Sequence, residues 1–458
     1  MTDGGEADGG TAGGGGFRGV RTALAGLTTR GRSFLAAGLA AAACSYLLGQ
    51  PDLLRVGLLL AALPLVCAAV LYRTRYQVAA VRRLTPSRVS VGAEARVQLR
   101  LDNVSRVPTG LLMLQDRVPY VLGPRPRFVL DRVEPGGFRE VAYRVRSDLR
   151  GKYPLGPLQL RLCDPFGMCE LSRSFHTHDV MTVVPAVQPL APVRLVGESA
   201  GRGDSNTRTL ALAGEDDVIP RDYRRGDDLR RVHWRSTAHH GELMVRREEQ
   251  PRQARCTVLL DTRGIAHEGM GPDSTFEWAV SAAASAAVHM LERGYGVRLV
   301  TDTGESVPAT DWSDMGGVGR GADGVGLLLD TLAVIDHSEG AGLSRALDAL
   351  SGSGEGLLIA FVGDLDREQT AILARMRQRT TGAVAFLLDT GAWSVPELLR
   401  AASATSTGEQ EGRLRDAGWV VQRVTPGAFL PALWERTDRH RQDGAGWVPA
   451  GQGGYHQP

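Results

Sequence analysis

Charge disappears from the chain twice near its beginning. Ser33 to Pro51 (SFLAAGLAAAACSYLLGQP) and Val56 to Tyr72 (VGLLLAALPLVCAAVLY) hold no charged residue, and each is about the length a helix needs to cross a hydrocarbon core. Either run alone also suits a buried core helix. Two in tandem, turned around Gln50-Pro51-Asp52, predict a transmembrane hairpin over residues 31–75, with the lipid bilayer as its partner through residues 33–72. Arg18, Arg21, Arg30 and Arg32 precede the pair, and Arg73, Arg75, Arg82 and Arg83 follow it. The excess of positive charge on both flanks predicts a multi-pass cell-membrane protein with both termini in the cytoplasm. A cleaved signal peptide fits poorly, because the first run starts late and a second follows at once.

From about Pro86 to Val184 the pattern shortens to period two, in segments such as RVSVGAEARVQLRLDN and LQLRLCDPFG broken by Gly, Pro, Asn and Asp. That rhythm predicts a small antiparallel β-sandwich of immunoglobulin-like type over residues 84–190. From Ala254 the pattern changes again, to continuous apolar strands alternating with amphipathic helices: TVLLDTR, GVRLVTD, GLLIAFVGD, AVAFLLDT. This predicts a multidomain chain ending in an α/β Rossmann-like domain over residues 254–442. Asp261, Asp302, Asp364 and Asp389 fall at strand ends, where open sheets of this class form their ligand crevice.

Composition narrows the function. A net charge of +2 on 458 residues disfavours a dedicated nucleic-acid binder. All basic residues but Lys152 are arginine, a bias that fits a high-GC genome and says little about chemistry. The glycine-rich beginning predicts a disordered tail over residues 1–30, and residues 443–458 read the same way. The five cysteines form no CxxC pair and signal neither a zinc ribbon nor a disulfide scaffold; Cys163 and Cys169 flank a turn that could bring them together.

Asp261-Thr262-Arg263-Gly264-Ile265, after the first strand of the α/β domain, resembles a von Willebrand factor type A domain, whose adhesion site reads Asp-x-Ser-x-Ser. Arg263 and Ile265 hold the serine positions, so a guanidinium is expected where a cation would sit. A metal-dependent alternative would use Mg²⁺ on Asp261 and Asp364; no other cofactor is expected. Gly319 to Gly324 matches GxGxxG but follows no strand, which reads as a flexible loop. Arg202-Gly203-Asp204 is read as a loop tripeptide.

The segment 191–253 is a linker that carries the densest charge. Residues 221–249 hold eight arginines, six carboxylates and three histidines. His233 with Asp227 offers an acid–base pair, and an enzyme using them in an interdomain cleft is the alternative from another class. The interspersed acids argue against nucleic acid. A network of Arg–carboxylate forks, with Tyr223 and Trp234 closing a seam between domains, is the preferred reading. The residues themselves carry a resemblance. Arg221-Asp222-Tyr223, Gly226-Asp227, Arg230, His233-Trp234, Ser236-Thr237-Ala238, Arg246 and Glu249 look like the signature of the bacterial "domain of unknown function fifty-eight" family. Arg150-Gly151 and Asp164-Pro165-Phe166-Gly167 are similar to that family's text as well. The resemblance implies a partner among AAA+ ATPases of the MoxR type and a von Willebrand-like adaptor domain, and carries over no catalytic residue. The expectation is a membrane-anchored, cytoplasm-facing adaptor without enzymatic activity.

Overall fold

A computed structural model describes residues 26–74, 78–106, 108–164, 166–195, 220–222, 234–246, 254–307, 322–350, 356–394 and 400–445. The chain divides into two compact units at Val184/Pro185.

The first unit begins with two helices, α1 (Thr29–Leu48) and α2 (Pro51–Thr74), both long and apolar enough to cross a membrane. Thr28 caps α1 through its side chain, and Gly49 closes it in a left-handed conformation at φ 63°, which glycine adopts without strain. The helices touch backbone to backbone. A Cβ on Gly38 would lie 2.6 Å from the amide nitrogen of Ala61, and one on Gly57 2.8 Å from that of Ala42; small residues permit this approach.

Ten strands follow: β1 (Val78–Thr85), β2 (Arg88–Ser90), β3 (Glu94–Asn103), β4 (Leu112–Asp116), β5 (Arg127–Leu130), β6 (Phe138–Arg146), β7 (Gly151–Leu155), β8 (Leu158–Cys163), β9 (Glu170–Phe175) and β10 (Asp179–Val184). They form sheets ordered β1-β3-β6, β5-β4-β8-β9 and β2-β10-β7. Alternation decides which side chains meet: Val97, Leu99 and Leu101 of β3, Leu112 and Leu114 of β4, and Leu158, Leu160 and Leu162 of β8 share one buried core. The strands occupy residues 78–184, not 84–190. The expected antiparallel pairing holds except that β10 runs parallel to β2. All five cysteines are free thiols; Cys169 is buried with its Sγ 3.7 Å from the carbonyl of Pro64.

Arg82 departs furthest from its expected role as a flanking membrane charge. It lies on β1 with a side chain only 3% exposed, paired with a fully buried Asp116 at 2.6 Å. Its Nε donates to the other Asp116 oxygen at 3.1 Å, Nη1 to Leu155 O at 2.9 Å and to Asp179 at 3.1 Å. Tyr143 Oη donates to Asp116 at 2.6 Å. Burial opposes the guanidinium charge, but the hydrogen bonds Arg82 donates to Asp116, and the Asp116 charge, overcome that and raise the Arg82 pKa. The fork joins strands of all three sheets.

In the second unit, residues 185–195 lie along the α/β core as an extended strap. Gln188 N donates to Ser285 Oγ at 2.9 Å, Trp434 Nε1 to Ala191 O at 3.0 Å, and Val193 and Leu195 enter the core. Residues 185–190, expected in the sandwich, and 191–195, expected in the linker, therefore pack here. A six-stranded sheet has the order β15-β14-β13-β16-β17-β18, with β13 (Arg255–Leu260), β14 (Gly296–Thr301), β15 (Ser306–Val307), β16 (Leu357–Val362), β17 (Gly382–Leu388) and β18 (Val420–Val424). Only the short edge strand β15 runs antiparallel to its neighbour. Continuous apolar strands are what such a sheet needs, because both faces are covered. Val258 and Leu260 pack with Phe276, Leu332 and Trp434, and Leu259 packs on the opposite face with Leu373, Met376 and Leu414. The covering helices on the first face are α4 (Thr275–Glu292), α5 (Ala322–Val334) and α10 (Leu430–Ala445). On the second they are α6 (Ser344–Leu350), α7 (Arg367–Gln378) and α9 (Arg400–Asp416), and the short α8 (Thr390–Ser394) follows β17. Gly319 to Gly321 lie outside the described residues, and Gly324 falls inside α5 instead of in a loop. Of the expected tails 1–30 and 443–458, residues 1–25 and 446–458 lie outside as well, as does the Arg202 tripeptide, whereas residues 29–30 belong to α1 and 443–445 to α10.

Candidate functional site

The carboxyl ends of the parallel strands gather the aspartates singled out by the sequence. Asp261 follows β13 and is fully buried. Its neighbour Arg263 turns back onto it: Nε donates to Oδ1 at 2.9 Å and Nη2 to Oδ2 at 2.8 Å. The backbone N–H of Arg263 reaches Oδ1 at 3.1 Å, and that of Gly363 reaches Oδ2 at 3.2 Å. A carboxylate has about four acceptor positions, and all four are engaged. Gly363 is required for this closeness, since a Cβ there would lie 1.9 Å from Ala266 O. Burial works against the Arg263 charge, and Asp261 more than compensates, so the guanidinium is held firmly protonated.

Asp364 does not complete a metal pair. It contributes its backbone carbonyl, which accepts from Arg263 Nη2 at 3.0 Å, while its side chain is exposed. At Asp261 a protein cation fills the acceptor positions that the Mg²⁺ alternative would use. Among the described residues no three His, Cys, Asp or Glu side chains cluster as a metal would need.

Asp302, after β14, is closed in the same manner by neutral donors. Thr262 donates to Oδ1 from its backbone at 2.8 Å and also from its hydroxyl, and Ser338 Oγ donates to Oδ2 at 2.6 Å. Asp389, after β17, accepts from Arg423 through one oxygen. These partners were not foreseen: Ser338 and Arg423 lie far from the aspartates in sequence, and no local pattern marks them.

His267 is another residue the sequence reading missed. It is buried, with Nε2 2.8 Å from Asp261 O and Nδ1 3.1 Å from Thr275 Oγ1. Nε2 donates to the carbonyl, which leaves Nδ1 of the neutral ring as an acceptor facing the Thr275 hydroxyl, whose one proton is shared between it and Glu268 O at 3.1 Å. Burial lowers the His267 pKa, against the opposing pull of the Asp261 charge. A histidine held neutral when folded binds fewer protons than its unfolded counterpart, whose pKa is about 6.5. The stability it contributes is complete above that value and is lost as pH falls below it toward the folded pKa. Thermal melts between pH 8 and 5 should show this decline, and it should vanish in His267→Gln.

The charged signature falls partly outside the described residues: Tyr223, Gly226, Asp227, Arg230, His233 and Glu249 lie there, and with them the acid–base alternative. What is described is its frame. Strand β11 (Pro220–Asp222), carrying Arg221 and Asp222, pairs antiparallel with β12 (Met244–Arg246), which ends at Arg246. Between them sits α3 (Trp234–His240), which includes Ser236. Thr237 Oγ1 accepts from Met244 N at 3.0 Å, tying helix to strand, a use that any Ser or Thr at this position provides. Trp234 was expected to close a seam; it is 71% exposed.

Asp261 and Asp302 are thus satisfied inward at the carboxyl end of the sheet, Asp389 keeps its Oδ1 buried without a hydrogen-bond partner, and apolar side chains face outward. Ile265 is 74% and Met270 95% exposed in the connection after β13, and Phe429 is 62% exposed after β18.

Solved structures with partial likeness include the CARDB domain of a Pyrococcus furiosus protein, at 10% identity over 23% of this chain and 91% of that one, TM-score 0.18. ApaA from Bordetella pertussis gives 10%, 23%, 91% and 0.18 on the same measures. The sporulation control protein Spo0M of Bacillus subtilis gives 13%, 23%, 49% and 0.16. No curated protein matches the sequence. Residues 220–386, which run from β11 through the fifth residue of β17, match the family described as Protein of unknown function DUF58.

Proposed function

We propose that the chain is a membrane-anchored, cytoplasm-facing adaptor without enzymatic activity. Its von Willebrand factor A-like unit docks a protein partner, an AAA+ ATPase of the MoxR type, in the assembly or maturation of protein complexes or of the cell envelope. The observation that carries this reading is the Arg263–Asp261 fork. It occupies the acceptors that a metal-dependent site would use, while Ile265 and Met270 project beside it. Exposed apolar side chains at a rigid sheet end suit contact with another protein. The helices α1 and α2 supply the anchor, and Arg18, Arg21, Arg30, Arg32, Arg73, Arg75 and Arg83 remain as flanking positive charge after Arg82 is removed from that set.

The test is affinity capture of the full-length protein from native membranes, with Ile265→Asp/Met270→Asp as the comparison. An AAA+ ATPase should co-purify with the wild type and be lost from the double variant, with the Trp fluorescence melt unchanged. Recovery of no such ATPase above background would reject the partner.

A further inference from the structure

The two-helix anchor is shorter than it looks, because the sandwich grips its base. Thr28 donates from its backbone to Met168 O at 2.9 Å and from its hydroxyl to Gly167 O at 2.7 Å. Glu170 N donates to Gly26 O at 2.8 Å. A Cβ on Gly31 would stand 2.2 Å from Met168 O, and Cys169 reaches the carbonyl of Pro64 midway along α2. The turn Asp164–Cys169 is thus clamped alongside both helices. Asp164 holds its shape, accepting from Cys169 N at 2.6 Å and from Phe166 N at 3.1 Å.

Beyond this clamp, Pro51–Leu63 of α2 supplies about 20 Å of helix at 1.5 Å per residue. A hydrocarbon core is about 30 Å thick. If the hairpin crosses, about 20 Å of helix is too short to clear the core, so the clamping turn must reach the membrane boundary or lie inside it. The same end of the sandwich carries exposed apolar side chains. Phe166 is 60% exposed at the turn's tip, Leu111 45% and Val104 69%. Leu111 is held beside the turn by Cys163 N donating to its carbonyl at 3.1 Å. Val104 follows Asn103, the partner of Val78, which stands four residues after α2. Arg30 comes within 3.7 Å of a Cβ placed on Gly167, a cation at headgroup level. Aromatic and basic residues favour that layer.

We infer that the helix-proximal end of the β-sandwich, with Phe166, Leu111 and Val104, is itself a membrane-contacting face seated in the interfacial layer of the bilayer that holds the hairpin. The inference rests on the reading of α1 and α2 as membrane-spanning. Tyr120, 91% exposed beyond the far end of β4, marks the opposite pole.

Nitroxide labels on Phe166→Cys, Val104→Cys, Leu58→Cys and Tyr120→Cys, each with Cys44→Ser, report depth. The full-length protein is placed in phosphatidylcholine–phosphatidylglycerol vesicles and its oxygen-to-nickel-chelate accessibility ratio is measured, with Cys44→Ser alone as the label background. Labels at Phe166 and Val104 should give ratios several-fold above Tyr120 and below Leu58 on α2. If Phe166 and Val104 match Tyr120 while Leu58 reads lipid, the contacting face is overturned and the anchor stands. If Leu58 is as aqueous as Tyr120, the anchor reading fails and takes this inference with it.

Discussion

Asp116→Ala is expected to destabilise the sandwich by about 3–5 kcal/mol, the range for removing one partner of a buried ion pair. The cost follows from what remains. Arg82 has a side chain 3% exposed, and without Asp116 its Nε and Nη2 lose their acceptors in a place water does not reach. Asp179 still binds Nη1, but it is itself 44% exposed and holds only one edge of the guanidinium. Tyr143, whose phenol is kept protonated by burial and by the Asp116 charge, loses its acceptor too. The paired change Arg82→Met/Asp116→Leu should cost less than Asp116→Ala alone, because no orphan charge is left. The effect is also localised. All seven tryptophans lie at residue 234 or beyond, so Trp fluorescence reports the second unit and should melt unchanged. Hydrogen exchange in β1 and β4 peptides should accelerate. Unchanged exchange there would mean the fork contributes nothing to the unit.

The contrast between Arg82 and Asp261 shows what the sequence can and cannot carry. Asp261 was readable, because a continuous apolar run ending in an acid marks a buried parallel strand and its carboxyl end at once. The hairpin was readable for the same reason: absence of charge over a fixed length is a local property. Arg82 was not. Counted by position it is one more arginine after an apolar helix, and only the pairing of β1 with β3, which orients its side chain inward, makes it the centre of the sandwich. Asp302 with Ser338, and His267 with Thr275, are similarly invisible, since each needs a turn geometry that no spacing rule encodes. Trp234 is 71% exposed within its own unit; hydrophobicity constrains burial only one way, and an exposed tryptophan breaks no rule.

The same logic of an orphaned charge makes Arg263→Ala the severest change expected in the second unit, again about 3–5 kcal/mol. Asp261 is fully buried, and losing the guanidinium removes two of its four donors, leaving the backbone N–H groups of Arg263 and Gly363. The Nη2 bond to Asp364 O goes as well, loosening the connection after β16 from the one after β13. Here Trp fluorescence should report the loss directly, while exchange in the sandwich stays as in the wild type. Arg263→Lys should recover only part of the difference, because an ammonium cannot span both carboxylate oxygens in the planar fork. The variant also tests whether the side chain stands in for a metal. With the guanidinium gone, millimolar Mg²⁺ should raise the melting temperature of Arg263→Ala, since a cation binding only the folded state stabilises it, and should leave the wild type unmoved. A wild-type shift would show that Asp261 is open to cations despite its four donors. No shift in either protein would mean that Arg263 supports the sheet end without replacing a metal, and the kinship to a metal-dependent adhesion site would then have no physical basis at this position.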